Sequence, residues 1–134
     1  MTTSSFQLQA SLLRILAHPV RLRILGILAR QEACVCHLET VLHRPQPYVS
    51  KQLAVLRDAG LVADRRDGNL IYYRAADEHL TAWLSMGRVL LRDPEGGPVL
   101  DPPFPPEFLE GCPCPKCQQK QTGNGACCAD DERK

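Results

Sequence analysis

The cysteines are the residues of this sequence that could carry the most specific chemistry. There are seven, in a close pair, a cluster of three and a terminal pair: Cys34 and Cys36; Cys112, Cys114 and Cys117; Cys127 and Cys128. Thiolate sulfurs are preferred ligands of soft metal and metalloid ions. Prolines inside the cluster of three favour an extended, pre-shaped loop. These spacings therefore predict a soft-ion site that combines the close pair with the cluster of three.

The ligand count leaves alternatives open for these sulfurs. Trigonal arsenite needs three sulfurs, and the close pair supplies only two. The cluster of three is also compatible with a structural zinc ion that takes one outside ligand. The terminal pair either scavenges ions or has no role. The sequence does not decide whether the cluster of three would act on its own subunit or on a partner subunit.

The chain shows no sign of a membrane or secreted location. It contains no apolar run of eighteen residues, and its first residues lack the charged and apolar regions of a signal peptide. We therefore expect a cytoplasmic protein, in which seven cysteines are more useful for metal binding or redox sensing than for disulfides.

Charge is distributed unevenly along the chain. Residues 1–76 carry ten Lys and Arg against five Asp and Glu, a net charge of +5, whereas the remainder carries −4. A basic front part suits a polyanionic partner such as DNA. The sequence offers no catalytic base, phosphate loop or paired carboxylates, so we do not expect an enzyme.

Hydrophobic periodicity predicts five helices and one hairpin that would position these groups. The helices are expected at residues 6–17, 19–30, within 34–42, at 46–59 and at 78–91, the last with Asp77 as its cap. Two strands are expected at 61–66 and 70–74, joined by a turn at Asp67-Gly68-Asn69. Two short helices followed by such a hairpin indicate a mainly α, winged helix-turn-helix fold.

Composition divides the chain into three parts. Residues 1–92 form the predicted DNA-binding and dimerisation domain. Residues 93–111 form a proline-rich linker arm, since eight of the eleven prolines lie beyond residue 92. Residues 112–134 form a cysteine-rich tail, whose end is polar and is expected to lack fixed structure.

The second helix of the helix-turn-helix would enter the major groove and present its first turns to base edges. Its available donors and acceptors are Gln46, Tyr48, Ser50, Lys51 and Gln52. Arg65, Arg66 and Asn69 on the wing would contact phosphates or the minor groove. For any one of these residues, the alternative is a solvated surface position.

Several segments together resemble the arsenic-repressor (ArsR/SmtB) family of bacterial metal sensors. The resemblance covers about residues 6–92 and is carried by segments in four places: His18-Pro19-Val20-Arg21-Leu22-Arg23-Ile24-Leu25; Ala33-Cys34-Val35-Cys36-His37-Leu38; Gln46-Pro47-Tyr48-Val49-Ser50-Lys51-Gln52-Leu53 with Leu56-Arg57-Asp58-Ala59-Gly60-Leu61-Val62, at the recognition helix; and Arg66-Asp67-Gly68 with Ile71-Tyr72-Tyr73-Arg74, at the wing. It implies a repressor whose first and last helices form a homodimer and which binds an inverted-repeat operator. The expected inducer is arsenite or antimonite first, then cadmium, lead or zinc.

Three departures from the family pattern are visible. Pro45 stands where the family usually has a Ser or Thr helix cap, and Glu39 stands where some arsenite sensors have a third cysteine. The family's other metal site needs an Asp/His/His/Glu set on the last helix. Asp77 and His79 match its first half, but Leu90 replaces the second His, so we expect that site to be absent.

The close cysteine pair suggests a mechanism of release. Residues at i and i+2 of a regular helix point about 200° apart, so joint ion capture by Cys34 and Cys36 requires a distorted helix start. Such strain would shift the recognition helix and weaken DNA binding on the order of a hundredfold. The alternatives are a thiol redox or persulfide sensor of the same fold, and a metallochaperone or metal-buffering protein.

Overall fold

The computed structural model describes residues 2–98. Five helices and three short strands follow one another along the chain: α1 Ser5–Leu16, α2 Pro19–Leu28, β1 Ala33–Cys34, α3 Val35–Leu42, α4 Gln46–Asp58, β2 Val62–Asp67, β3 Leu70–Ala75 and α5 His79–Val89. The five predicted helices and the hairpin are confirmed. The cluster of three cysteines, the terminal cysteine pair and most of the proline-rich arm lie outside the described residues.

The first two helices begin at residues that suit a helix N-terminus. Ser4 and Gln7 form a reciprocal capping box at the start of α1, with the Ser4 hydroxyl accepting the Gln7 N–H. Pro19 occupies the first position of α2, where its missing N–H costs nothing. His18 is the N-cap of α2.

The recognition helix α4 starts and stops where the sequence predicts. Pro45 is its N-cap and supplies no side-chain hydrogen bond, whereas the family usually has a Ser or Thr cap at this place. Gly60 adopts a φ of 77°, a conformation that suits glycine and ends the helix. Val49, Leu53 and Leu56 form its buried face. The opposite face of α4 is thereby left toward solvent.

A three-stranded antiparallel sheet carries the wing. Its order is β1-β3-β2, so β3 is the central strand. The turn between β2 and β3 contains Gly68 with a φ of 64°, as a tight hairpin turn requires. Strand β1 was not predicted, because two residues are too few for a periodicity signal. Their antiparallel pairing with β3 joins the start of α3 to the wing.

The hydrophobic core lies between the helices and the inner face of this sheet. It includes Ile24, Leu25, Leu38 and the buried face of α4, with Leu80 and Leu84 of α5 packed against it. Within residues 2–98, no helix is long and apolar enough to cross a membrane.

The chain turns back on itself after α5. Asp93 accepts the Gly97 N–H at 2.6 Å, and Arg92 forms a β-bridge with Pro98. Residues 93–98, at the start of the proline-rich arm, thus form a closed turn. The Asp93 carboxylate and the positive φ of Gly96 close a turn that composition alone does not reveal.

Candidate functional site

The close cysteine pair lies at the junction between the sheet and the helix-turn-helix. Cys34 ends β1 and is the N-cap of α3, with an extended φ of −87° and ψ of 169°. Cys36 is the second residue of α3. Both side chains are buried, and their Sγ atoms are 3.3 Å apart.

This geometry corrects the premise of the release mechanism derived from the sequence. Cys34 lies outside the helix, so the 200° separation of a regular helix does not apply to the pair. The extended backbone at Cys34 turns its sulfur toward that of Cys36 without any distortion of α3. Ion capture therefore does not need to unwind the helix start.

The spacing of the two sulfurs fits a shared soft ion. Tetrahedral zinc at about 2.3 Å from each sulfur holds two thiolates about 3.8 Å apart, so an opening of about 0.5 Å suffices. No three His, Cys, Asp or Glu side chains converge within residues 2–98 to complete such a site. Further ligands would have to come from the rest of the chain or from a partner.

His37 follows the pair and is buried, which the sequence reading did not anticipate. Its Nε2 atom lies 3.5 Å from the side-chain nitrogen of Gln31. The His37 ring packs inside the fold near the start of α3.

The exposed face of α4 carries most of the predicted base readers. Lys51 is exposed, and Gln46 and Ser50 are partly exposed and joined by a 3.1 Å hydrogen bond from the Gln46 amide to the Ser50 hydroxyl. Tyr48 is partly exposed, with the Arg44 guanidinium 5.4 Å from its ring centroid. Arg44 adds a cation to this face that the sequence reading did not include. Its place in the turn before α4 was the only available signal.

Gln52, which was predicted to read bases from this face, does not lie on it. Its side chain is 5% exposed, and its Oε1 accepts a 2.8 Å hydrogen bond from Nε of Arg21. Position 52 lies next to Leu53, and the helix turns both toward α2. The sequence shows a polar residue there but not the arginine that makes its burial possible.

The wing presents its predicted residues unequally. Arg66 and Asn69 are exposed. Arg65 instead forms a forked pair with Glu32, lies 3.7 Å from the Asp67 carboxylate and stacks 4.9 Å above the Tyr72 ring. The hydrogen bond to Glu32 is the main cause that raises the pKa of Arg65. Arg65 is thus committed to contacts within the protein.

Asp77 caps the start of α5 with its side chain. The Asp77 carboxylate accepts the His79 backbone N–H at 2.8 Å and also contacts Nδ1 of the His79 ring at 2.8 Å. These two hydrogen bonds lower the pKa of Asp77, the backbone bond being the larger cause. Glu78 holds the formal N-cap position.

Comparison with known proteins places these features in a family. A model of the bacterial regulatory protein arsR family matches residues 18–64. The arsenical resistance operon repressor of Escherichia coli is 44% identical over 80 residues, which cover 59% of this chain and 68% of that protein. The chain belongs to the ArsR family. The HTH-type transcriptional repressor SmtB of Mycobacterium tuberculosis is 48% identical over 69 residues, which cover 52% of this chain and 51% of that repressor.

Solved structures share the ArsR-type winged fold. Rv0081 of M. tuberculosis aligns with a TM-score of 0.61 and 36% identity, covering 66% of this chain and 90% of that one. The homodimeric winged helix-turn-helix domain of Mb0332 from Mycobacterium bovis aligns with a TM-score of 0.53 and 32% identity, covering 67% and 89%. This chain is accordingly a winged helix-turn-helix regulator of the ArsR family, and it spans about half to three-quarters of the length of the curated relatives that it matches.

Proposed function

We propose that this chain is a repressor that binds an inverted-repeat operator as a homodimer and releases it when thiolates capture a soft ion. Arsenite or antimonite is the first candidate, followed by cadmium, lead or zinc. One observation carries this proposal: the Sγ atoms of Cys34 and Cys36 lie 3.3 Å apart where the wing sheet meets the helix-turn-helix.

The exposed residues of α4 and the wing support the DNA-binding part. Lys51, Gln46 and Ser50 supply donors and acceptors on one helix face, as major-groove readout requires. Arg66 and Asn69 extend the same polar surface along the hairpin. Phosphate contacts from the exposed cations would supply affinity, and the α4 side chains would supply specificity.

Unburied apolar side chains support the homodimer. Large hydrophobic residues are exposed on α1, on α2, on α5 and just after α5: Phe6, Leu8, Leu13, Leu22, Trp83, Met86, Val89, Leu90 and Leu91. Leu90 is 86% exposed in the single chain. Exposed apolar surface of this extent marks a protein contact, and a second copy of the chain would cover it.

The name of one relative supports an inducing ion. That relative is an arsenical resistance operon repressor, and all the candidate ligands described for this chain are sulfurs, which suit arsenite and cadmium. We propose that Cys112, Cys114 or Cys117 supplies the further ligands, because two sulfurs leave either ion incompletely coordinated. The proline arm would bring these sulfurs to the close pair.

Operator binding tests the proposal directly. We expect the full chain to shift a short inverted-repeat duplex in preference to random DNA, with affinity falling steeply as salt rises. Cadmium or arsenite should release the duplex, and the cadmium complex should show thiolate-to-metal absorption. A chain that does not prefer the inverted repeat, or that keeps it when both ions are saturating, contradicts the proposal.

A thiol redox sensor is the second candidate, and the same sulfur separation favours it. Two sulfurs 3.3 Å apart need only a short approach to react, although a disulfide of normal geometry needs an S–S distance near 2.05 Å. Release of the operator by hydrogen peroxide or polysulfide, with no response to ions, would support this candidate over the first.

A further inference from the structure

The cysteine pair and the wing are joined within a single sheet. Cys34 is the register partner of Tyr72 on β3, and Tyr72 is the register partner of Arg65 on β2. These three residues therefore form one row across the sheet, with cross-strand partners facing the same side. Cys34 is therefore joined through the sheet to the central strand of the wing.

A second connection runs parallel to this row. Glu32 lies two residues before Cys34, and both of its carboxylate oxygens accept hydrogen bonds from Arg65 of β2, through Nε at 3.1 Å and through Nη2. The two residues are separated by 33 positions in sequence. A forked pair fixes the orientation of both groups, unlike a single-point contact between exposed charges.

Arg65 is also fixed on its wing side. Its guanidinium carbon lies 4.9 Å from the Tyr72 ring centroid, and Nη1 lies 3.7 Å from Asp67. Arg65 is therefore bound to the hairpin by a ring and a carboxylate and to the segment before Cys34 by a second carboxylate. Because the hairpin contacts are internal to the wing, it is the Glu32 contact that joins two separate parts of the chain through this guanidinium, among the contacts within residues 2–98.

We propose that Glu32 and Arg65 are positioning residues that transmit ion capture at Cys34 and Cys36 to the wing. The inference rests on the proposed function and adds the route by which the ion acts on DNA binding. The ion would fix Cys34 against Cys36, move the segment that carries Glu32, and so change the wing's position relative to α4. The wing rather than α4 is the element that ion binding displaces.

The test compares two variants, each of which removes the charge of one of the two carboxylates next to Arg65. Glu32→Gln removes the charge and one of the two acceptors that join the two parts of the chain, whereas Asp67→Asn removes a charge within the hairpin and leaves both acceptors of Glu32 in place. Operator Kd is measured with and without saturating cadmium for the full chain. Thiolate-to-metal absorption checks that each variant still binds the ion, and a thermal melt checks that it folds.

We expect the wild-type ratio of the two Kd values to be on the order of a hundredfold. Glu32→Gln should reduce that ratio about tenfold, an effect within the range of residues that carry coupling, while Asp67→Asn retains it. Equal ratios in both variants and the wild type overturn the inference, and so does an equal loss in both variants. If the wild-type ratio is near one, the inference and the proposed function both fail. Measurements on the wild type alone show this outcome, so it is distinguishable from a failure of the inference by itself.

Two further measurements distinguish coupling through Glu32 and Arg65 from a general loss of stability: hydrogen exchange and a charge reversal. Without ion, Glu32→Gln should speed amide exchange in β2 and β3 more than in α4. The double variant Glu32→Arg with Arg65→Glu should restore the ion-dependent ratio relative to Glu32→Arg alone. Absence of that rescue, with the double variant folded, overturns the inference.

Discussion

Arg21 of α2 donates a 2.8 Å hydrogen bond from Nε to Oε1 of Gln52, which lies inside the fold on the recognition helix α4. Nη1 of the same guanidinium donates to the Ile15 carbonyl at 3.0 Å. One arginine thus ties the end of α1 and the recognition helix to α2. Because α1 belongs to the proposed dimer face, this contact relates the dimer to the DNA-reading helix.

Gln52→Ala should therefore act on stability rather than on base recognition. It leaves the Arg21 guanidinium without a partly buried acceptor, and we expect the free energy of unfolding to fall by about 1.5–3 kcal/mol. Urea denaturation measures this change, with Lys51→Ala, at an exposed position of the same helix, expected within about 0.5 kcal/mol of wild type. If Gln52→Ala is as stable as wild type and loses preference at one base pair, then Gln52 reads DNA.

Lys51→Ala and Arg66→Ala should have different effects on DNA binding. Lys51 lies exposed among the proposed base readers, so its loss should weaken operator binding by about 1–3 kcal/mol and relax sequence preference. Arg66 is exposed on the wing, and its loss should weaken binding to all sequences alike and reduce the salt dependence. Fluorescence anisotropy with operator and scrambled duplexes measures both. Identical effects of the two variants on both duplexes would contradict the assignment.

The exposed apolar residues of α5 and the segment after it should be essential for dimerisation. Met86→Glu combined with Leu90→Glu places two carboxylates on this face, and their desolvation in an interface is costly. We expect a monomer by sedimentation equilibrium and a loss of operator affinity of more than about tenfold, because one module reads only half of the site. Ala76→Glu, an exposed position before α5, is the matched control. A dimer that persists in the double variant would place the interface elsewhere.

Cys34→Ser and Cys36→Ser should bind the operator normally but no longer release it with arsenite or cadmium. A serine hydroxyl keeps the size of the side chain but is not a soft ligand at neutral pH. Ion-driven release of a fluorescent operator measures the effect. Release that is unchanged in both variants would exclude the pair as the sensing site.

Two truncations ask whether the tail completes the site. A chain ending before Gly111 lacks every tail sulfur and should respond weakly to ions. A chain ending after Gln121 loses only Cys127 and Cys128 and should respond nearly as the full chain does. A normal response from the shorter chain would mean that the tail cysteines are not ligands.

Much of the fold could be predicted from local pattern. Helix positions followed from apolar periodicity and from Pro19 and Gly60, since these signals lie within a few residues of the element that they shape. The hairpin followed from Gly68 between two β-favouring runs. Strand β1 and the turn after Asp93 could not be predicted, because two paired residues and one capping carboxylate produce no periodic pattern in the sequence.

The candidate site was predictable in its residue types but not in its geometry. The sequence by itself determined the family, the order of its elements and the presence of a Cys-x-Cys pair at the start of α3. Only the tertiary structure decided that Cys34 ends a strand, that Gln52 is buried against Arg21 and that Arg65 binds Glu32. The physical reason is that these contacts join residues 31 and 33 positions apart, or depend on pairing with β3. A side chain's exposure is set by partners that no local spacing specifies.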